Sequence, residues 1–204
     1  MEVISTYHTL KLRTEGLYKE KGSKFIGIAQ SCYSEEEAKE LLSEWKKEHH
    51  QAGHLCYAYR FGKELSVFRA NDDGEPSNSA GAPILGQIQS FGLTNVLIGV
   101  VRYYGGTKLG VGGLINAYRT AAKEALEINE IIEVEVFHHY RLTFDYPIMS
   151  DVMYWLKKAN LEYKNQLFEV DCQLEVAFPL MRDEQLLAEL KEFEGLSVLD
   201  LGEY

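Results

Sequence analysis

The sequence predicts a mixed α/β (α+β) protein with a larger N-terminal domain and a ferredoxin-like C-terminal domain. Strand and helix patterns alternate along the 204 residues, as expected for sheets covered by helices. From residue 131 onward the order is strand, helix, strand, strand, helix, strand, which is the ferredoxin-like βαββαβ order. We therefore predict two domains, residues 1–130 and residues 131–204.

Local patterns place the elements of the first domain. In chain order, we predict a hairpin at residues 16–33, a helix at 34–50, strands at 55–61 and 65–70, a helix at 80–91, a strand at 96–101 and a helix at 114–128. Ser34, followed three residues later by Glu37, is a capping-box start for the first helix. The run 96–101 is apolar on both faces, which predicts a fully buried strand.

Local patterns also place the elements of the second domain. We predict strands at residues 131–146, 161–168, 170–178 and 196–201, and helices at residues 148–159 and 182–193. Polar and apolar residues alternate over 172–178, which indicates a sheet with one buried face.

The charge is unevenly distributed along the chain. Residues 1–130 carry 15 Lys and Arg against 16 Asp and Glu, whereas residues 131–204 carry 6 against 15, so the net charge of −10 lies almost entirely in the second domain. An acidic chain disfavours non-specific nucleic-acid binding, which depends on neutralising phosphates. The near-neutral first domain can still hold a local basic patch, and the acidic second domain is expected to face solvent or a basic protein partner.

The cysteines and the first ten residues indicate the cellular compartment in which the protein is expected. The three cysteines, Cys32, Cys56 and Cys172, are odd in number and widely spaced, so neither a disulfide framework nor a zinc ribbon is predicted. Residues 1–10 lack the apolar core of a signal peptide, and no apolar run reaches the roughly 18 residues of a membrane span. We expect a cytoplasmic protein with no membrane association, no cofactor and no resident metal.

A glycine-dense segment separates the buried strand from the long helix. Its members are Gly105, Gly106, Gly110, Gly112 and Gly113, with Lys108 among them and Arg102 just upstream. Because main-chain N–H groups at a helix start attract anions, the segment is a candidate site for a phosphate, a nucleic-acid backbone or a carboxylate. The alternative is a tight connection whose glycines only satisfy backbone geometry. The nucleotide-loop patterns GxxxxGK[ST] and GxGxxG are both absent.

An acidic turn precedes this segment. Asp72, Asp73 and Glu75 place three carboxylates within four residues, followed by Ser77. Their mutual repulsion must be offset by a cation, a nearby Lys or Arg, or backbone donors. A bound Mg²⁺ would suit a metal-assisted hydrolase or phosphoryl-handling enzyme. The favoured interpretation is a β-turn in which Asp72 or Asp73 bonds the backbone and Glu75 pairs with Arg102.

Two further positions bear on a site. His54 and Cys56 are two residues apart on a predicted strand and so share a face. They could ligate a metal or form an acid–base pair, but no third ligand is evident, and a polar cluster shared with Asp72 and Asp73 is favoured. Tyr103 and Tyr104 should point to opposite faces, so at most one of them can stack on a base.

Taken together, these segments resemble the YigZ/IMPACT family. The residues that carry the resemblance are HLCYAYR at 54–60, DDGEPS at 72–77, VRYYGG at 101–106, KLG at 108–110 and GGL at 112–114. The likeness covers about residues 16–130. Residues 131–204 are similar in pattern to the small C-terminal domain of bacterial members, which resembles a C-terminal domain of elongation factor G.

The resemblance implies both a fold and a role. The implied fold is a domain like ribosomal protein S5 domain 2, followed by the ferredoxin-like domain. The implied role is a translation-associated regulatory or binding protein, since eukaryotic relatives restrain a starvation-responsive translation-initiation kinase by competing for its activator. This chain departs from the usual pattern at Ala82 and Asn116, where relatives often carry a basic residue.

Our leading hypothesis is a binding site for an anionic ligand, such as RNA or a ribosome component, between the acidic turn and the glycine-dense segment. The candidate ligand-binding residues are His54, Asp72, Asp73, Glu75, Ser77, Arg102, Tyr104, Gly105, Gly106, Lys108, Gly110, Gly112 and Gly113. No catalytic residue is assigned, and the metal-assisted enzyme remains the alternative. The hypothesis requires that the segments near residues 54, 73 and 108 meet in one polar cleft.

Overall fold

A five-stranded antiparallel sheet forms the centre of the first unit. The computed structural model describes residues 4–203. Residues 1–3 and Tyr204 lie outside the described range, and residues 1–3 are part of the segment 1–10 that was compared with a signal peptide. The first strands are Thr6–Leu10 (β1), Thr14–Glu20 (β2), Ser23–Ser31 (β3), His54–Phe61 (β4), Val67–Asn71 (β5) and Val96–Tyr103 (β6). The sheet order is β2-β3-β6-β4-β5, and every neighbouring pair is antiparallel.

Helices cover both faces of this sheet. They are Glu35–Glu48 (α1), Gly81–Ser90 (α2) and Gly110–Glu127 (α3). On one face, Leu97 of β6 belongs to the apolar cluster of Trp45 from α1. On the other face, Ile98 of β6 belongs to the cluster of Ile84 and Tyr118 from α2 and α3. This double burial confirms the prediction that residues 96–101 form a fully buried strand.

The start of α1 agrees with its sequence signature. The Ser34 hydroxyl accepts a hydrogen bond from the Glu37 backbone N–H at 3.1 Å, which confirms Ser34 as the N-cap. The Glu37 carboxylate in turn accepts from the Tyr33 N–H at 2.8 Å. The return bond therefore reaches one residue further back than in a standard capping box.

Two glycines allow α3 to lie directly on β2 and β3. A Cβ added at Gly27 would meet the Ala121 carbonyl oxygen at 2.1 Å, and one added at Gly16 would meet the Ala125 nitrogen at 2.4 Å. The facing helix residues are also small. Backbone-to-backbone contact of this kind fixes the position of α3 on the sheet.

The start of α3 corrects the sequence prediction. The helix begins at Gly110, four residues before the expected start at Leu114. Gly110, Gly112 and Gly113 therefore belong to the first helical turn instead of a loop. The apolar stripe of the helix begins only at Leu114, and glycine has a low helix propensity, so periodicity did not reveal the first turn.

The expected strand at residues 131–146 is also corrected. It is two strands, Ile131–Glu135 (β7) and Phe137–Phe144 (β8), and β7 pairs with the unpredicted β1 in a two-stranded sheet. At the break, the Val136 N–H donates to the Ser5 carbonyl at 2.8 Å, and the Val136 carbonyl accepts from the Leu180 N–H at 3.0 Å. Partners so distant along the chain leave no local signal.

The second unit has the predicted ferredoxin-like fold. After β8, its elements are Met149–Ala159 (α4), Tyr163–Phe168 (β9), Cys172–Pro179 (β10), Asp183–Leu190 (α5) and Ser197–Glu203 (β11). The sheet order is β11-β8-β10-β9, and all pairs are antiparallel. The helices bury Leu156 and Leu186 in one cluster with Leu142 of β8 and Leu174 of β10.

A polar network joins β8 to α5 and β11 within this unit. His138 Nε2 lies 2.8 Å from Asp200 Oδ1, and His138 Nδ1 lies 2.9 Å from the Tyr140 hydroxyl. That hydroxyl donates to Asp183 at 2.9 Å. The hydrogen bond with His138 lowers the pKa of Asp200, while burial raises the pKa of Tyr140.

The described chain forms two compact units. The first comprises residues 7–134, and the second comprises residues 135–203 together with residues 4–6. The boundary near residue 130 remains a sequence-based prediction. Within residues 4–203, no helix is both long enough and apolar enough to cross a membrane.

The close contact between β3 and α3 predicts that Gly27→Ala destabilises the protein. The added methyl group would overlap the Ala121 carbonyl, and we expect a loss of about 1–3 kcal/mol in the free energy of unfolding, as for other overpacked sites. Chemical denaturation measures this change. Gly86→Ala in α2 is the control, because a Cβ there meets nothing within 4 Å and alanine favours a helix. Equal stabilities of the two variants would contradict the contact.

Candidate anion-binding cleft

Asp72 organises the loop that leads into α2. Its Oδ1 accepts hydrogen bonds from the Ala80 and Gly81 N–H groups at 3.0 and 2.8 Å, and its Oδ2 accepts from the Asn78 N–H at 2.8 Å. The N-cap residue of α2, Ala80, has no side-chain cap of its own. Asp72 therefore caps this helix from eight residues upstream, with an anionic acceptor at the positive end of the helix dipole.

Asp73 ties the same turn to β4. Its Oδ2 accepts from the Leu55 N–H at 2.8 Å, and its carbonyl oxygen lies 2.7 Å from His54 Nδ1. Because a carbonyl can only accept, Nδ1 carries the proton in this contact, and in the neutral ring Nε2 is left as an acceptor. Asp73 adopts a positive φ of 42°, which Asp tolerates better than most residues.

Glu75 lies in a buried ion pair. Its Oε1 accepts from Arg102 Nη1 at 2.5 Å and from the Tyr118 hydroxyl at 2.8 Å. The side chains of Glu75 and Arg102 are only 5% and 9% exposed. The pairing expected from the sequence is confirmed. No residue in the range 4–203 donates to Glu75 Oε2 in the structure.

The Arg102 guanidinium lies over two aromatic rings. Its guanidinium carbon lies 5.5 Å from the centroid of Phe25 and 5.4 Å from that of Tyr104. Both distances lie within the range of cation–π attraction. The Arg102 Nε is buried and has no hydrogen-bond partner among the residues described. A buried donor that is left unpaired is energetically costly, so the hydrogen bonding of Arg102 is incomplete among the described residues.

The three carboxylates of the acidic turn thus serve different protein donors. Asp72 bonds the α2 start, Asp73 bonds β4, and Glu75 bonds Arg102 and Tyr118. Within the described part of the chain, no group of three His, Cys, Asp or Glu side chains could hold a metal ion. The carboxylates of this turn are thus engaged with protein donors in this structure, and the magnesium alternative stays a prediction.

The glycine-dense segment has two parts with different roles. Gly105 is required by packing, since a Cβ there would lie 1.9 Å from the Gly22 carbonyl carbon, and its N–H donates to Ser23 Oγ at 3.0 Å. Gly106 and Gly110 have positive φ values of 86° and 73°. Added Cβ atoms at both of these positions would meet nothing within 4 Å, so their conformation, not crowding, favours glycine.

The first turn of α3 is open. Its N-cap, Leu109, makes no side-chain cap, and the turn contains no acidic residue. Among the residues described, none accepts a hydrogen bond from the N–H groups of Gly110, Val111 or Gly112. Lys108 is exposed just before the turn and forms no ion pair with any residue in the described range. These donors and this charge together favour an anion.

A cleft of about 520 Å³ lies beside this helix start. Six of the residues predicted from the sequence line it, namely His54, Glu75, Arg102, Tyr104, Lys108 and Gly110. The other predicted residues do not line it: Asp72, Asp73, Ser77, Gly105, Gly106, Gly112 and Gly113. The segments at residues 54 and 108 thus meet, whereas Asp73 lines with His54 a separate cavity of about 50 Å³.

The cleft is more apolar than the sequence suggested. Pro76, Leu109, Val111 and Leu114 also line it, and none of them was predicted. Val111 is 53% exposed. Its apolar side chain stands between glycines at the start of a helix, and this is the sequence feature from which an apolar wall could have been predicted. Apolar walls indicate a ligand with an apolar part beside its charge.

Tyr118 and Cys56 form the floor beneath the ion pair and were also missed. The Cys56 thiol donates to the Asp72 carbonyl at 3.0 Å. Burial raises the pKa of Cys56 to about 12, and burial likewise raises the pKa of Tyr118. Both groups therefore stay neutral at physiological pH. Tyr118 lies on the apolar stripe of α3, where a tyrosine needs a partner for its hydroxyl.

Comparison with known proteins covers both units. The model of the Impact N-terminal domain matches residues 21–126. "IMPACT family member YvyE" of Bacillus subtilis is 34% identical over 166 residues, which cover 81% of this chain and 73% of the relative. "IMPACT family member YigZ" of Escherichia coli is 30% identical over 175 residues, covering 85% and 86%. A crystal structure of a hypothetical protein aligns with a TM-score of 0.76 at 27% identity, covering 97% of this chain and 98% of the other.

The capping role of Asp72 predicts that Asp72→Ala destabilises the first unit. Three backbone N–H groups would lose their acceptor, and we expect a loss of roughly 2 kcal/mol in the free energy of unfolding. Urea denaturation measures the change. Ser77→Ala is the control, because Ser77 is exposed in the same turn and should change stability by less than about 0.5 kcal/mol. Similar effects of both changes would contradict the capping role.

The buried Cys56 predicts a loss of stability at alkaline pH. The folded pKa of about 12 lies above the unfolded value of about 8.5. The unfolded state therefore releases this proton first as the pH rises. The stabilisation is complete below the unfolded pKa and is lost as the pH rises towards the folded pKa. Denaturation between these two pH values should show a shallower decline for Cys56→Ala than for the native protein. Parallel declines would contradict this assignment.

Proposed function

The chain belongs to the IMPACT family, and from this premise we propose that it is a translation-associated binding protein that holds an anionic ligand at the start of α3. RNA or another ribosome component is the ligand class that fits a role in translation. The translation part of the proposal rests on the role that the resemblance to the family implies. The binding part comes from the cleft. The same proposal places the protein in the cytoplasm, where translation takes place.

The open first turn of α3 is the observation that carries this proposal. The N–H groups of Gly110, Val111 and Gly112 have no acceptor among residues 4–203. They lie at the N-terminal end of an 18-residue helix, whose dipole places about half a positive charge there. Lys108 adds a full charge beside them and lines the same cleft. The backbone supplies donors and the side chain supplies charge, so an oxyanion would satisfy both.

The buried ion pair does not add net charge to the site. Arg102 is neutralised by Glu75 at 2.5 Å, so it acts as a fixed wall of the cleft. The unpaired Nε of Arg102 is nevertheless a donor without an acceptor in the described range, and it lies on a side chain that lines the cleft.

The geometry supports binding over metal-assisted hydrolysis. A magnesium site needs oxygen ligands that are free to point at one ion. The carboxylates of Asp72 and Asp73 are instead directed at backbone N–H groups of the protein. Removing them from those donors would unfold the turn that shapes the cleft.

A second contact through the acidic C-terminal unit is part of the proposal. Residues 131–204 carry 6 Lys and Arg against 15 Asp and Glu, and a surface of this sign attracts a basic protein. Such a contact would be independent of Lys108. The binding experiment below separates the two, because only the cleft contact depends on that side chain.

We predict that the full chain binds single-stranded RNA, tRNA or ribosomes, with an affinity that falls as salt is raised. Filter binding across a salt series measures this affinity. Lys108→Ala should weaken binding and reduce the slope of log K against log salt by about one, since one phosphate contact is lost. Lys39→Ala on α1 removes the same charge from an exposed position that does not line the cleft, and it should leave the slope unchanged.

Absence of binding to all three ligands at low salt would remove the proposal of an RNA or ribosome ligand. Ribosome binding that Lys108→Ala leaves intact would remove the cleft as the contact and leave the acidic unit as the binding surface.

A further inference from the structure

Tyr104 is an exposed aromatic residue in the lining of the cleft. It is 56% exposed. The Arg102 guanidinium carbon lies over its ring, 5.4 Å from the centroid. Beneath the guanidinium lies Phe25 at 5.5 Å, which is fully buried. The guanidinium is thus near both rings, and the exposed Tyr104 side chain is one on which a flat ring could stack.

Tyr104 and the anion site belong to the same cleft. Tyr104, Lys108 and Gly110 all line it. Between them the walls are apolar, and they include Val111, which is 53% exposed. A ligand that fills this space must combine a flat apolar body with an anionic end. Inorganic phosphate alone would leave the aromatic face and the apolar wall in water.

Two side chains in the cleft offer acceptors to a ligand. No residue in the described range donates to Glu75 Oε2. His54 Nδ1 is engaged with the Asp73 carbonyl at 2.7 Å, which leaves Nε2 of the neutral ring as an acceptor. Both side chains line the cleft. Hydroxyl or amino groups on a ligand are the donors that match them.

Resting on the proposed function, we infer that the cleft binds a single unpaired ribonucleotide with a terminal phosphate. The phosphate occupies the open turn of α3 and Lys108, the base stacks on Tyr104, and the ribose hydroxyls face Glu75 and His54. The volume of about 520 Å³ lies within the usual range of roughly 300–1,000 Å³ for a small-molecule site. Such a unit exists as a free nucleotide and as the 5′ end of an RNA chain.

The unpaired state of the nucleotide follows from the stack. A base paired within a duplex has both of its faces occupied by neighbouring bases. A terminal or isolated base can stack on an aromatic side chain without unpairing. The site therefore selects ends or monomers over helical RNA.

Calorimetric titration of the full chain with AMP, adenosine and inorganic phosphate tests this inference. We expect AMP to bind more tightly than either part alone. Tyr104→Leu should weaken AMP binding by about tenfold, as expected for one lost base–aromatic stack, and leave phosphate binding unchanged. Tyr33→Leu is the matched control, because Tyr33 is 55% exposed but does not line the cleft, and it should bind AMP like the native protein.

Short single-stranded RNAs with and without a 5′ phosphate distinguish the two sources of the nucleotide. Tighter binding of the 5′-phosphorylated RNA than of AMP supports an RNA end as the ligand, and the reverse order supports a free nucleotide. Equal binding of phosphorylated and unphosphorylated RNA, together with no binding of AMP, would overturn the inference.

The failure of this inference can be told apart from failure of the proposed function. Phosphate and AMP that bind equally, with no effect of Tyr104→Leu, would overturn the nucleotide inference and leave the anion site intact. RNA binding that Lys108→Ala weakens but Tyr104→Leu does not would have the same meaning.

Discussion

The buried ion pair between Glu75 and Arg102 is the contact on which the rest of the cleft depends. It joins the acidic turn to the end of β6, and the Tyr118 hydroxyl adds a donor from α3 at 2.8 Å. Burying two charges carries a desolvation penalty of several kcal/mol, which is offset only when geometry and additional hydrogen bonds are good. Three elements are therefore held together at one point, and loss of either charge would leave the other buried and unpaired.

Around this ion pair, several residues of the types that often bind ligands or take part in catalysis instead stabilise the fold. The carboxylates of Asp72 and Asp73 accept hydrogen bonds from backbone N–H groups. Gly105 has no side chain, so the turn at Gly22 can approach it within contact distance. With these positions satisfied internally, four groups remain: a helix start without a side-chain cap, a lysine, an imidazole acceptor and an exposed tyrosine. Those leftover groups share one cleft, and they define what it can bind.

This local arrangement reconciles an anion site with an acidic protein. The chain carries a net charge of −10, which gives no broad basic surface for a nucleic-acid backbone. Backbone N–H groups and one lysine instead act over a few ångströms, within the screening length of physiological salt. Recognition of a single phosphate with its attached ring suits such a site better than tracking along many phosphates.

The sequence alone determined the elements whose signals are local. The buried β6, the Ser34 cap and the βαββαβ order all follow from periodicity and capping within a few residues. The pairing of Glu75 with Arg102 was also foreseen, but the contribution of Tyr118, 43 residues away from Glu75, was not. Only the tertiary structure decided that Asp73 turns away towards β4 while Lys108 and Tyr104 face one cleft. The physical reason is that each side chain's direction depends on partners brought together by sheet pairing and helix packing, which no local pattern encodes.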